Sequence, residues 1–119
     1  MTSDLEQLAR EDFCYLTTTG RVSGRPHTIE IWFALNGHTL YMLSGGRDRS
    51  DWVKNALHLP DVTVRIKDMV IEGKARLAKD AEEDALARQL LFEKYQESSE
   101  DDLTEWSRAS LPVVVGLSI

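Results

Sequence analysis

His27-Thr28-Ile29-Glu30-Ile31-Trp32-Phe33-Ala34-Leu35-Asn36-Gly37-His38-Thr39-Leu40-Tyr41-Met42-Leu43-Ser44 reads as a β-hairpin. From 27 to 35 the chain alternates, with Ile29, Ile31, Phe33 and Leu35 on one face and Glu30, Trp32 and Ala34 on the other. A period of two is the mark of a half-buried strand. Asn36-Gly37 carries the strongest short-range signal for a type I′ turn, because both residues tolerate positive φ. The strand 38–44 then returns antiparallel, with Leu40 and Met42 on one face.

Outward from this hairpin, the pattern stays β. Phe13 to Thr19 is rich in aromatic and β-branched residues and stops at Gly20. Asp61 to Lys67 alternates through Val62, Val64 and Ile66, and 69–78 follows after a tight turn near Lys67-Asp68. Leu111 to Ile119 closes the set, with Val113-Val114-Val115 at its centre. Helices interrupt the strands. Residues 3–12 open with a capping box, Ser3 and Glu6. Residues 50–59 have Ser50 or Asp48 as cap and stop before Pro60. Residues 80–97 start at Asp80, with Glu83 three residues on and a stripe of Leu86, Leu90, Leu91 and Tyr95. A short acidic helix is expected within 98–107. Six strands without strand–helix–strand alternation predict a mainly β domain, a small antiparallel barrel with peripheral helices. Strands 27–35, 38–44 and 61–67 are expected as consecutive members, with helix 80–97 packed outside.

The 119 residues fit one domain, 1–119. No apolar run approaches the length of a membrane span, and the first residues lack a basic stretch leading into an apolar one. With a single cysteine, Cys14, the expected setting is cytoplasmic and reduced. The net charge is −6. It hides an asymmetry: residues 13–79 hold ten bases against six acids, whereas 80–119 hold three bases against ten acids. An acidic total argues against a nucleic-acid partner. A basic middle suits a local anionic ligand or, equally, a basic sheet flanked by acidic helices.

Hydrolytic and metal constellations are missing from the sequence. His27, His38 and His58 have no ligand spacing, Cys14 has no paired cysteine, and no nucleophile elbow occurs. Metal ligands are therefore not expected. Cys14 reads as inert core, and the carboxylates of 80–105 as a solvated face. Two loops stand out. Gly20-Arg21-Val22-Ser23-Gly24-Arg25 joins two strands and combines glycines, a hydroxyl and two arginines. Ser44-Gly45-Gly46-Arg47-Asp48-Arg49-Ser50 runs into a helix start. Glycine-rich turns expose backbone N–H groups to anions, and arginine adds a bidentate fork. The two loops together favour one phosphate-bearing ligand over mere solubilising turns. Trp52 reads as a core plug or the wall of a ring pocket, and Asn55 as a loop contact or a cofactor contact. Tyr15, Tyr41 and Tyr95 are the candidate proton donors, and each is also a plausible packing residue.

Leu16-Thr17-Thr18-Thr19-Gly20-Arg21-Val22-Ser23-Gly24-Arg25-Pro26 resembles the loop of the deazaflavin-dependent nitroreductase family. Gly45-Gly46-Arg47-Asp48, Trp52-Val53-Lys54-Asn55 and Pro60-Asp61-Val62 are similar to that family's glycine-rich turn, W-x-x-N helix and following strand. Glu72-Gly73-Lys74-Ala75-Arg76 and Leu111-Pro112-Val113-Val114 fit its later strands. The resemblance implies a six-stranded antiparallel split β-barrel, shared with pyridoxamine-phosphate-oxidase-like flavoproteins. It implies coenzyme F-420, a deazaflavin with a phosphate and an oligoglutamate tail, and reduction of quinones, nitro compounds or activated alkenes. It implies cofactor binding by Arg21, Ser23, Gly24, Arg25, Ser44, Gly45, Arg47, Arg49, Trp52 and Asn55, and a homodimer. No residue is marked as catalytic. Val22 stands where the family usually has lysine, and His27 where it often has arginine. The alternatives that the sequence leaves are an FMN-binding oxidoreductase, a non-catalytic cofactor or fatty-acid binder, and a ligand-free adaptor.

Overall fold

The computed structural model describes residues 2–119, and side chains from residue 5 onward. The expected Ser3 cap lies outside the described side chains. In chain order the elements are α1 (Thr2–Leu8), β1 (Cys14–Thr19), β2 (Pro26–Ile31), β3 (Ala34–Asn36), β4 (Thr39–Ser44), α2 (Asp51–His58), β5 (Asp61–Ile66), β6 (Met69–Leu77), α3 (Ala81–Gln96), α4 (Thr104–Ala109) and β7 (Leu111–Leu117). A single 3-10 turn, Arg47–Arg49, precedes α2.

The strands form one antiparallel sheet in the order β2-β1-β5-β6-β7-β4-β3. It curls into the half-barrel of the split-barrel fold, as expected, with seven strands instead of six. The extra strand comes from the 27–35 run, which is not continuous: it breaks at Trp32-Phe33. The cause is a competing set of partners. The Tyr95 hydroxyl accepts the Phe33 amide hydrogen at 3.0 Å, and Lys94 Nζ donates to the Phe33 carbonyl at 2.8 Å. A backbone whose groups are satisfied by side chains drops out of the ladder. One stretch of chain therefore supplies both edges of the sheet, β2 and β3.

The pairing of consecutive strands also differs from expectation. β3 and β4 form the anticipated hairpin, but one residue later than expected: Asn36 pairs with Thr39 and the turn residues are Gly37-His38. Of Asn36, Gly37 and His38 only Gly37 has a positive φ (+62°), so the type I′ turn at Asn36-Gly37 is not found. β4 then pairs with β7, whereas β5 sits between β1 and β6. Helix α2 carries the chain from the end of β4 to the start of β5.

Two clusters make the core. Leu16, Phe33, Leu40, Met42, Val64, Ile66, Val113 and Val115 fill the barrel. Tyr41, Leu43 and Val114, the alternate residues of β4 and β7, pack instead against Ala87, Leu91 and Tyr95 of α3, with Leu103 beside them. Burial on both faces explains the unbroken apolar run of β7. Helix α3 thus lies outside the barrel, as expected. Asp80 caps it by accepting from the Glu83 amide at 2.8 Å. Ser50 occupies the cap position of α2, but its hydroxyl pairs with Ser44 Oγ at 3.0 Å and makes no cap bond. No helix among the described residues is long and apolar enough to cross a membrane.

Candidate functional site

The loop 20–25 turns tightly because its own backbone closes it. Gly20 N–H donates to the Arg25 carbonyl at 2.8 Å, and Gly24 N–H to the Gly20 carbonyl at 2.9 Å. Gly24 has φ +73°, a conformation costly for other residues. Opposite the loop stands α2. Asn55 is buried, and its side-chain carbonyl accepts from both the Arg21 amide (3.1 Å) and the Arg21 guanidinium (2.7 Å). A second guanidinium nitrogen donates to Asp51 Oδ1 at 3.2 Å. Loop and helix are thereby locked together.

Between them opens a cleft of about 670 Å³, lined by 20–23, 26–29, Asp51, Trp52 and Asn55. That volume suits a small-molecule or cofactor site. Its apolar wall is Trp52, Ile29, Pro26 and Val22. Trp52 also packs on the barrel core, so it is at once plug and wall. The polar side holds donors with spare capacity. Ser23 Oγ accepts from the Arg25 amide at 3.1 Å, which leaves its own O–H free to donate. The Val22 and Ser23 amides meet no acceptor among the described residues. A Cβ built on Gly20 would stand 2.6 Å from Ser23 Oγ and 2.8 Å from His27 Nε2, so both side chains crowd the space that glycine leaves open. Thr18 lies cross-strand from His27, and its Oγ1 is a buried side-chain atom without a hydrogen-bond partner.

Of the residues expected at the site, the structure gathers Arg21, Ser23, Trp52 and Asn55 around this cleft. Gly24, Arg25, Ser44, Gly45, Arg47 and Arg49 do not line it. The anticipated convergence of the two arginine loops on one cavity is therefore not found. The Arg47 guanidinium is drawn instead to the Ala109 carbonyl at the end of α4. Ser44 ties its turn from within, donating to the Arg47 carbonyl at 2.9 Å. Arg47 itself adopts φ +55°.

None of the three tyrosines lines the cleft. Tyr15 is on the outer sheet face, bonded to Glu30, and Tyr41 is buried under α3. Tyr95 holds the barrel seam, and burial pushes its hydroxyl above the ordinary range. Burial also pushes the Cys14 thiol up to about 12, which keeps it protonated and unreactive. Residues that the sequence did not flag are Asp51, Pro26, Thr28 and Ile29. Asp51 lies thirty positions from Arg21, and no local pattern links them.

A family model described as F420H(2)-dependent quinone reductase matches residues 3–118. Several solved structures share the fold. An F420-H2-dependent reductase is 22% identical, with 90% of this chain and 94% of that one covered and a TM-score of 0.64. A proposed 5-nitroimidazole antibiotic resistance protein from Bacteroides thetaiotaomicron is 16% identical, with 100% and 81% covered and a TM-score of 0.77. An FAD-binding protein from Mesorhizobium loti is 15% identical, with 99% and 89% covered and a TM-score of 0.69.

Proposed function

The chain belongs to the F420H(2)-dependent quinone reductase family, oxidoreductases whose cofactor is coenzyme F-420, and from that footing we propose that it reduces an electron-poor small molecule such as a quinone, nitro compound or activated alkene at the cleft between loop 20–25 and α2. When bound, the reduced deazaflavin supplies the hydride. The observation that carries the reading is the grouping of spare donors beside an aromatic wall. Arg21, the Ser23 hydroxyl and the Val22 and Ser23 amides match a phosphate. Trp52, Ile29 and Pro26 match a flat apolar ring.

The protein's contribution is placement. Asn55 and Asp51 hold the Arg21 fork before any ligand arrives, so less side-chain freedom is lost on binding. None of the three tyrosines lines the cleft, which favours water over tyrosine as the source of the proton that accompanies reduction.

The test is turnover. Purified protein should oxidise reduced F-420 when a simple quinone is added, at a rate proportional to protein. Binding without quinone-dependent oxidation would contradict the enzymatic reading and make the chain a cofactor carrier.

A homodimer belongs to the same proposal. Thr17, Thr63, Arg65 and Val70 lie side by side on the outer face of β1, β5 and the start of β6. Val70 is 61% exposed there. A second copy would cover it, and sedimentation should read about twice the 13.5 kDa chain. A monomer at micromolar concentration would overturn this part.

A further inference from the structure

We propose that His27 makes ligand capture at this cleft proton-linked: its ring joins Arg21 and Ser23 around Gly20 and holds the cofactor's phosphate more tightly when it carries a charge. This rests on the reading above, and it adds a regulation that the family assignment does not contain.

His27 lines the cleft, and its Nε2 lies 2.8 Å from the point that a Gly20 Cβ would occupy, with Ser23 Oγ 2.6 Å from the same point. The two polar tips therefore converge on one spot. No protein group among the described residues hydrogen-bonds the His27 ring. Its cross-strand neighbour Thr18 keeps an unpartnered, buried hydroxyl on the same face of the hairpin. Thr18 itself is buried beneath the cleft lining; it is the free His27 ring and the Ser23 hydroxyl, both at the cleft, that suit a polar guest.

The charges that face His27 are few. Arg21, on the loop, and Asp51, on α2, pair with each other at 3.2 Å. Arg25, on the same loop, lies outside the lining, and β1 contributes only the neutral Thr18 opposite. One added positive charge then changes the anion affinity of the mouth. Histidine is the side chain whose ordinary titration falls in the physiological range. A ligand that favours the imidazolium must raise its proton affinity, and by linkage the protonated site must bind that ligand more tightly.

Calorimetric titration with F-420 at pH 5.5 and pH 8.0 tests this on wild type, His27→Asn and His27→Arg. The cofactor's own titration is common to all three proteins, so the comparison between proteins isolates His27. Wild type should match His27→Asn at pH 8.0 and bind about three- to tenfold more tightly at pH 5.5, the range of a partly exposed charge contact. His27→Arg should bind tightly at both. In parallel, the carbon-labelled His27 ring, one of three histidines, should titrate at higher pH in the presence of F-420, a readout that needs no variant to fold. An unshifted His27 titration, or an asparagine variant with the wild-type pH dependence, would overturn the proposal while leaving the cofactor assignment standing. Absence of F-420 binding by wild type at both pH values would instead defeat the assignment on which the proposal depends.

Discussion

Asn55 shows how one buried amide can organise a site. Its single Oδ1 takes two donors from Arg21, one from the backbone and one from the guanidinium. Replacing it with alanine strands an amide and frees the fork. Losing a buried hydrogen-bond partner costs roughly 1–3 kcal/mol, which in a domain of this size lowers Tm by several degrees. Thermal melts of Asn55→Ala should show that fall, and F-420 binding should weaken in parallel. Unchanged stability would mean that the loop does not lean on Asn55. At this scale the sequence singled out four residues that do line the cleft, Arg21 and Ser23 through their glycine-flanked loop and Trp52 and Asn55 through the W-x-x-N likeness. Asp51 was not legible, since its meaning arises only when α2 meets a loop distant in sequence. Val22, 93% exposed at the loop tip, fits the expectation that a turn apex stays in water.

Helix α3 is the element that shapes the barrel. Its Tyr95 and Lys94 divert the Phe33 backbone, and Tyr95 stacks on Trp32 with ring centroids 4.2 Å apart. That contact cuts one apolar run into β2 and β3, which periodicity alone cannot foresee: the alternation continues through Trp32 and Phe33 unchanged. At its other end α3 is anchored by Glu83. The carboxylate takes a fork from Arg76, with one arm at 2.9 Å, and the Lys79 amide at 2.8 Å. The Arg76 guanidinium, with the Lys79 amide, holds the Glu83 carboxyl down at about 2, against an ordinary 4.5. A depressed carboxyl stabilises the fold fully above pH 4.5, and that stabilisation is lost as pH falls from 4.5 towards 2. Melts across this window should therefore show a drop in wild type, and a shallower one in Glu83→Gln. At neutral pH the same variant should lose about 1.5–3 kcal/mol, the usual worth of a charge-assisted bond. Identical acid profiles for the two proteins would sink this account of the α3 anchor.

For the molecule as a whole, the barrel type and the outside position of α3 follow from alternating strands and a polar-faced helix. The neighbour relations do not. β7, last in the chain, inserts between β6 and β4, and such long-range pairing leaves no mark in local sequence. The same limit applies to the arginine loops. Both look like anion cradles when read alone, yet α4 claims Arg47 and only Arg21 reaches the cleft. Cofactor binding is therefore assigned to that one cleft. Isothermal titration with F-420 of wild type, Arg21→Ala and Arg47→Ala tests it most directly. A charge-assisted contact of roughly 1.5–3 kcal/mol predicts at least about tenfold weaker binding for Arg21→Ala, with Arg47→Ala close to wild type. Full affinity in Arg21→Ala, or its loss in Arg47→Ala with the fold intact, would contradict the site.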